Sequence, residues 1–171
     1  MKAHIYLNFD GNCSEAFDLY KSVFGGDFTM RTTFGESPMK DKMPEEYQKR
    51  LMHVQLPIGD NDVDLMGCDW MPKMPNKKAY VAGTNTHVSI APDSKEHADE
   101  IYHKLTADGG TKDLPMKEQF WGAYYGMCTD KYGIQWMINL PASDHDGDDN
   151  EKKHGAEGTA EGESESKKAK T

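Results

Sequence analysis

The sequence is poor in the features that mark disulfide-rich, zinc-knuckle and membrane proteins. Only three cysteines occur in 171 residues, Cys13, Cys68 and Cys128, and their spacing fits neither a disulfide framework nor a zinc knuckle. No apolar run approaches membrane-spanning length, and the first residues lack the charged-then-apolar pattern of a signal peptide. These absences predict a protein of the reducing cytoplasm that has no membrane partner.

Positive charge is also scarce. The chain carries 20 lysines and arginines against 29 aspartates and glutamates, which gives a formal net charge of −9. A nucleic-acid-binding domain normally presents a basic face, so we expect no nucleic-acid partner. A glycine-rich turn between a strand and a helix, which a nucleoside cofactor requires, is missing as well. The Gly-Gly pairs stand where helices should end, so a methyltransferase of the usual kind is not predicted.

The end of the chain differs in composition from the rest. After Pro141 come nine acidic residues and five lysines, with no aliphatic side chain larger than alanine. Such a segment cannot bury enough apolar surface to offset the entropy lost on ordering. We therefore predict that 141–171 is a disordered acidic tail, which leaves 1–140 as the folded domain.

The folded part is a tandem duplication. His4 and His87 are 83 residues apart, Tyr20 and Tyr102 are 82 apart, and the two Gly-Gly pairs are 84 apart. Three landmarks at nearly one offset indicate that one β-α-β-β-β unit occurs twice. The predicted parts are module one at 1–70, a linker rich in proline and lysine at 71–80, and module two at 81–140.

Hydrophobic periodicity places the elements of each module. Helical spacing follows Asn12, a potential N-cap with Glu15 three residues later, and it follows Ser94 in the second module. A turn is predicted at 130–133, where Asp130 can bond its own backbone and Gly133 supplies a positive φ. A short helix is expected within 44–50, and strands are expected at 4–9, 28–34, 52–58, 63–68, 86–91, 111–118, 124–129 and 134–140.

The two-residue period divides the side chains of these strands between an apolar face and a polar face. An antiparallel sheet often leaves one face in water, so a solvated or dimer-facing surface is one interpretation. The residue types favour a second one, because His, Asn, Gln, Tyr and Met suit a half-dry ligand cavity. The polar face comprises His4, Tyr6, Asn8, His53, Gln55, Asp64, Met66, Cys68, His87, Ser89, Gln135, Met137 and Asn139.

Several short motifs in this frame resemble the PhnB-like branch of the vicinal oxygen chelate superfamily, which includes glyoxalase I, bleomycin-resistance proteins and extradiol dioxygenases. The resemblance covers about residues 1–140. It is carried by Tyr6-Leu-Asn-Phe-Asp-Gly-Asn12, Phe34-Gly35, Phe120-Trp-Gly122, Tyr125-Gly126 and Trp136-Met-Ile-Asn139. It implies an α+β fold in which two tandem βαβββ modules form a U-shaped, half-barrel sheet with helices on the outer face. A homodimer is implied as well.

The resemblance also implies a divalent metal ion, one of Ni, Mn, Fe, Co or Zn, held by side chains of the first and last strands of each module. His4 and His87 match two such positions, and Asp64 is the candidate carboxylate. The sequence departs from the pattern, because the carboxylate usual in the second module falls on Met137, or on Gln135 if the register slips by two. Met66 stands at the equivalent position of the first module. The alternative is that both histidines are neutral and bond across the cavity.

Three hypotheses for function follow. The first is a metal-assisted lyase, isomerase or dioxygenase with Glu118 as a candidate general base, and the second is a binding protein that sequesters its ligand. The third is a scaffold whose acidic tail engages a basic partner. Expected substrate-binding residues are Tyr6, Asn8, His53, Gln55, Met66, Ser89, Trp121, Gln135, Met137 and Asn139.

Three further side chains admit two interpretations each. Cys13 lies at a predicted helix start, which could lower its pKa, although a small buried cysteine is the simpler interpretation. Trp136 falls on the apolar face and is expected in the core rather than in a cavity wall. Trp121 precedes the break at Gly122 and could serve either role.

Overall fold

The computed structural model describes residues 3–59, 63–71 and 79–142. The chain divides into two units, Met1–Pro141 and Ala142–Thr171, and all that follows concerns the first. Most of the predicted linker and nearly all of the predicted tail lie outside the described residues. Among the described helices, none has the length and apolar character needed to cross a membrane.

Each half of the first unit contains four strands and one long helix. The first half consists of β1 (Ile5–Phe9), α1 (Cys13–Phe24), β2 (Met30–Thr33), the short α2 (Glu45–Gln48), β3 (Leu51–Ile58) and β4 (Val63–Asp69). The second half consists of β5 (Val88–Ile90), α3 (Lys95–Thr106), β6 (Thr111–Glu118), β7 (Tyr124–Thr129) and β8 (Gln135–Leu140). The predicted elements are confirmed, with ends shifted by one or two residues.

The two sheets have the same topology, which confirms the duplication. Their strand orders are β1-β4-β3-β2 and β5-β8-β7-β6. In each sheet the first strand runs parallel to the last, while the other pairs are antiparallel. The α+β class is confirmed, and the half-barrel consists of two open sheets, because no ladder joins β1 to β5 in the described residues.

One hydrophobic core serves both modules. The buried residues of α1 recur at spacings of three and four and pack with the apolar faces of the sheets. Those of α3 do the same from the second module. Trp136 is fully buried in this core, as the sequence predicted. The apolar faces inferred from alternation are therefore the faces that pack against the helices.

The two long helices begin in different ways. Ser94 caps α3 as predicted, because its hydroxyl accepts a hydrogen bond from the His97 amide at 3.1 Å. The predicted cap at Asn12 is wrong, since its side chain makes no capping hydrogen bond. The carboxylate of Asp69 takes that role from the end of β4, accepting from the amides of Gly11 at 2.9 Å and Cys13 at 3.0 Å. Its other oxygen accepts from the Leu51 amide at 2.7 Å.

A second buried carboxylate, that of Asp130, joins the two modules. One oxygen accepts from the amides of Tyr132 at 2.9 Å and Ile134 at 3.0 Å, which builds the predicted turn. The other accepts from the Tyr20 hydroxyl at 2.8 Å and from the Trp136 indole nitrogen at 2.9 Å. Because Tyr20 belongs to α1 and Trp136 to β8, this single side chain holds the first module against the second.

Substitution of Asp130 by Asn should destabilise the protein strongly. The amide keeps one acceptor oxygen but turns an NH2 group toward donors that are already buried, so we expect the free energy of unfolding to fall by roughly 2–4 kcal/mol. Urea denaturation followed by circular dichroism measures this change. The control is Glu100→Gln at an exposed ion pair with Lys104, where we expect little change because solvent screens such pairs. Equal effects of the two substitutions would show that the modules do not depend on Asp130.

Candidate functional site

The register of the first sheet confirms which side chains share the polar face. Tyr6 on β1 lies opposite Met66 on β4, and Met66 lies opposite Gln55 on β3. One step along, Asn8 lies opposite Cys68. Side chains directly opposite one another on one face are close enough to interact. Alternation in the sequence had grouped these residues correctly, and the register adds Met30, opposite Gln55, to the same face.

The polar face of the second sheet is built in the same way. Ser89 lies opposite Met137, and Met137 lies opposite Met127. Asn139 and Gln135 lie opposite Tyr125 and Thr129 on β7. Met127 and Thr129 were not singled out from the sequence. The alternation of β7 could have predicted them, because Met127 and Thr129 follow Tyr125 by two and four residues and therefore share its face.

Polar contacts link three strands of the first sheet. The Tyr6 hydroxyl lies 3.2 Å from Nδ1 of His53, with the two rings stacked at a centroid distance of 5.7 Å. The Cys68 thiol donates to the Asn8 side-chain oxygen at 3.4 Å. Burial, followed by a hydrogen bond with Cys68, raises the pKa of Tyr6 above its ordinary value. Tyr6 therefore keeps its proton at neutral pH, and its hydroxyl can donate to the imidazole.

His4 and Asp64 form a close pair at the edge of this face. Nδ1 of His4 lies 3.1 Å from the Asp64 carboxylate and 3.2 Å from the Asp64 amide, which donates to it. Both side chains are partly buried. Both contacts meet at one ring nitrogen, which accepts from the amide when it carries no proton and donates to the carboxylate when it carries one. The two hydrogen bonds are therefore alternatives, and either one keeps the imidazole beside Asp64.

The donor set does not fit the divalent metal ion that the resemblance implied. Within the described ranges, no group of three or more His, Cys, Asp or Glu side chains is placed to hold a metal ion. His87 therefore does not complete a set with His4 and Asp64, and the thioether of Met137 is a poor ligand for hard ions. The three-ligand metal site stays a prediction without supporting geometry.

A cavity of about 710 Å³ lies along the free edges of β1 and β5. Three of the predicted substrate-binding residues line it, namely Tyr6, Asn8 and Gln135. The remaining described walls are Leu7, Trp70, the segment 79–83, Asn85, Thr86, Val88, Gly133 and Ile134. Hydrogen bonds hold the wall in place, because Gln135 donates to the Gly83 carbonyl at 2.9 Å and the Tyr80 hydroxyl to the Asn8 carbonyl at 3.3 Å. The sequence had treated this segment as the end of a linker.

A second cavity of about 380 Å³ lies beside Ile5, Phe24 and Ile90 and includes Ser89 and His97. The other predicted residues are not among the described walls of either cavity. These are His4, His53, Gln55, Asp64, Met66, His87, Trp121, Met137 and Asn139, together with Glu118. The predicted site is therefore divided between one cavity, the margin of a second and two open sheet faces.

Comparison with known proteins identifies the fold. The family profile described as "Glyoxalase/Bleomycin resistance protein/Dioxygenase superfamily" matches residues 3–138. The chain belongs to this superfamily.

Three relatives refine this assignment. Protein YjdN of Escherichia coli (strain K12) is 31% identical over 140 residues, which cover 79% of this chain and 92% of YjdN. The crystal structure of protein PA1353 from Pseudomonas aeruginosa has a TM-score of 0.71 and 33% identity, and the match covers 84% of this chain and 99% of PA1353. The PhnB protein from Bacillus cereus has a TM-score of 0.63 and 20% identity, and the match covers 82% of this chain and 99% of its own. Together they support the PhnB-like branch of the superfamily.

The two candidates at the β6–β7 hairpin of this PhnB-like chain lie on the surface. Glu118 is exposed and forms an ion pair with Lys95. An exposed carboxylate in an ion pair is not favoured as a general base, and the catalytic role of Glu118 stays a prediction. Trp121 is 52% exposed and makes edge-to-face contacts with Phe120 and Tyr125. Phe120 itself is 97% exposed, so the hairpin presents an aromatic projection to solvent.

The three cysteines differ in accessibility. Cys13 and Cys128 are fully buried, whereas Cys68 is partly exposed on the polar face. Burial raises the pKa of the Cys13 thiol well above its usual range and that of Cys128 to about 12. The alternative of a lowered pKa for Cys13 at its helix start is therefore wrong, and the interpretation as a small buried cysteine is confirmed.

Thiol reactivity in the native protein should be confined to Cys68. The thiolate is the reactive form of cysteine. The raised pKa of Cys13 keeps its thiol protonated at pH 8, and so does the pKa of about 12 at Cys128. We expect Ellman's reagent at pH 8 to label one thiol rapidly in folded wild type and none in Cys68→Ser. All cysteines should react in denaturant. Rapid labelling of native Cys68→Ser would contradict the described burial.

Proposed function

We propose that this PhnB-like protein binds an uncharged small organic molecule in the 710 Å³ cavity between the edges of β1 and β5. The volume supports this proposal, because ligand cavities of soluble proteins typically measure about 300–1,000 Å³. The walls combine apolar groups with a few hydrogen-bonding side chains, which is the usual composition of a ligand site.

The charge of the walls favours a neutral ligand. None of the described lining residues is Asp, Glu, Lys, Arg or His. A charged ligand would lose hydration without gaining a counter-charge, which costs free energy. The apolar walls, among them Leu7, Val88 and Ile134, suit an aliphatic or aromatic body. Asn8, Thr86 and Gln135 supply polar groups that could orient it.

Binding without chemistry is the function that these walls support best. General acid–base catalysis needs a titratable group within hydrogen-bond reach of the substrate, and tyrosine hydroxyls are the only such groups among the described walls. Burial, and then the negative charge of Asp10, raise the pKa of Tyr80. Burial also raises the pKa of Tyr6. Both are therefore protonated donors at neutral pH.

A catalytic function is the second candidate, and it rests on Tyr6. This residue lines the cavity while its hydroxyl contacts Nδ1 of His53. The imidazole could take up a proton through Tyr6 from a ligand atom in the cavity. In that case His53→Ala should abolish turnover while leaving ligand affinity unchanged, whereas pure binding predicts no turnover in either protein.

Filling the cavity should abolish ligand binding. Nile red is an uncharged aromatic dye whose fluorescence rises and shifts to the blue in apolar surroundings. We expect wild type to bind it, and Thr86→Trp to weaken binding at least about tenfold by occupying the cavity. The control is Thr111→Trp on the exposed edge strand β6, which should bind as wild type does. Undiminished binding by Thr86→Trp would contradict the cavity as the site.

We further propose that the protein is a homodimer that buries the aromatic projection Phe120–Trp121. A phenylalanine with 97% of its surface in water is unusual for a residue of its type. Aromatic residues of this kind are enriched in the buried centres of protein interfaces.

Sedimentation velocity tests the dimer. Wild type should sediment as a dimer at micromolar concentration, and the double substitution Phe120→Ser, Trp121→Ser should shift it to a monomer because the apolar contact area is lost. The control, Val81→Ser, changes another highly exposed apolar residue and should leave the dimer intact. A monomeric wild type, or a dimeric double variant, would contradict this interface.

A further inference from the structure

Sulfur side chains gather on a central strand of the first sheet. Met66 and Cys68 are two residues apart on β4 and both belong to its polar face, while Gly67 between them faces the Phe17 ring of α1. Both sulfur side chains are partly buried and open to ligands from the solvent side. Since β4 lies between β1 and β3, these side chains have neighbours on two sides.

The nearest imidazole on the same face is that of His53. The pairing of Val54 with Gly67 brings His53 beside Cys68, next to the bulge where the β2–β3 register shifts. The Tyr6 hydroxyl contacts Nδ1 of His53, and the Cys68 thiol bonds the side chain of Asn8, two residues along β1 from Tyr6. The imidazole and the thiol are therefore cross-strand neighbours on one face, close enough for side chains to meet.

We propose that Cys68, Met66 and His53 form a binding site for copper(I). Thiolate, thioether and imidazole are soft or borderline donors, and sites of this kind select copper(I) over the hard ions that carboxylates hold. The nearest carboxylate of the same face, Asp64, is engaged by His4. None of the three ligands lines the cavity proposed above for the organic ligand, but Tyr6 and Asn8 contact the ligands and also line that cavity. The site uses none of the three side chains of the predicted divalent site.

The chemistry of binding is a simple exchange. Copper(I) replaces the proton of the Cys68 thiol, which passes to solvent, and the metal–sulfur bond takes the place of the hydrogen bond to Asn8. His53 binds the ion through Nε2, and its Nδ1–H donates to the Tyr6 oxygen. Tyr6 then acts as a positioning residue, because a hydrogen bond to the other ring nitrogen fixes the tautomer and orientation of a metal-bound histidine. No electron is transferred.

Competition with bicinchoninate, a coloured chelator of copper(I), tests the site in the full-length chain under anaerobic, reducing conditions. Wild type should withdraw one copper(I) per chain from the chelator. Cys68→Ser and His53→Ala should lose at least about a hundredfold in affinity, because even outer-shell substitutions cost about 10–100-fold. Met66→Leu, which keeps the side-chain volume, should lose about tenfold. Circular dichroism of the metal-free variants verifies that each is folded.

Matched controls separate this site from general affinity for sulfur and imidazole. Met127→Leu removes a thioether from the face of the second sheet, and His97→Ala removes a partly exposed imidazole, so neither should change copper affinity. X-ray absorption of the wild-type complex should show two sulfur ligands and one nitrogen ligand. Failure to withdraw copper, unchanged affinity in Cys68→Ser, or a preference for zinc(II) would each overturn the proposal.

Discussion

The buried carboxylate of Asp130 is the interaction on which the arrangement of the two modules depends. It is 3% exposed and accepts hydrogen bonds from Tyr20 in the first module, from Trp136 in the second and from two amides of its own turn. Without it, a hydroxyl and an indole N–H would be buried with no described acceptor, which costs more than a hydrogen bond itself contributes. Asp69 has the same function within module one, where it joins the start of α1 to β3.

This mode of joining creates the cavity. The modules meet through their helices, a shared apolar core and Asp130, while no ladder pairs β1 with β5 in the described residues. Two free sheet edges therefore lie along one cleft, and the segment 79–86 provides its remaining wall. Hydrogen bonds from Gln135 to the Gly83 carbonyl and from Tyr80 to the Asn8 carbonyl connect that wall to β8 and to β1.

The chain keeps the scaffold of its superfamily while its side chains support different chemistry. The family match extends over residues 3–138, yet Met66 and Met137 occupy positions where the resemblance led us to expect carboxylates. A fold of this kind fixes where side chains point and leaves their chemistry open. Exchanging hard oxygen donors for sulfur on the same strands changes which ions the face can hold. The replacement of carboxylates by methionines thus explains why the described side chains do not support a divalent site and why we propose a copper(I) site instead.

The sequence by itself determined the duplication, the order of strands and long helices, the face of each strand and the burial of Trp136. These properties follow from two-residue and 3.6-residue periodicities, which act between neighbours in the chain. Only the tertiary structure decided that Asp69 rather than Asn12 caps α1, that His4 pairs with Asp64, and that the linker end forms a cavity wall. These contacts join residues 52 to 60 positions apart, and the Tyr20–Asp130 bond spans 110. Local periodicity carries no information about such pairs, because the packing of the modules sets their distances.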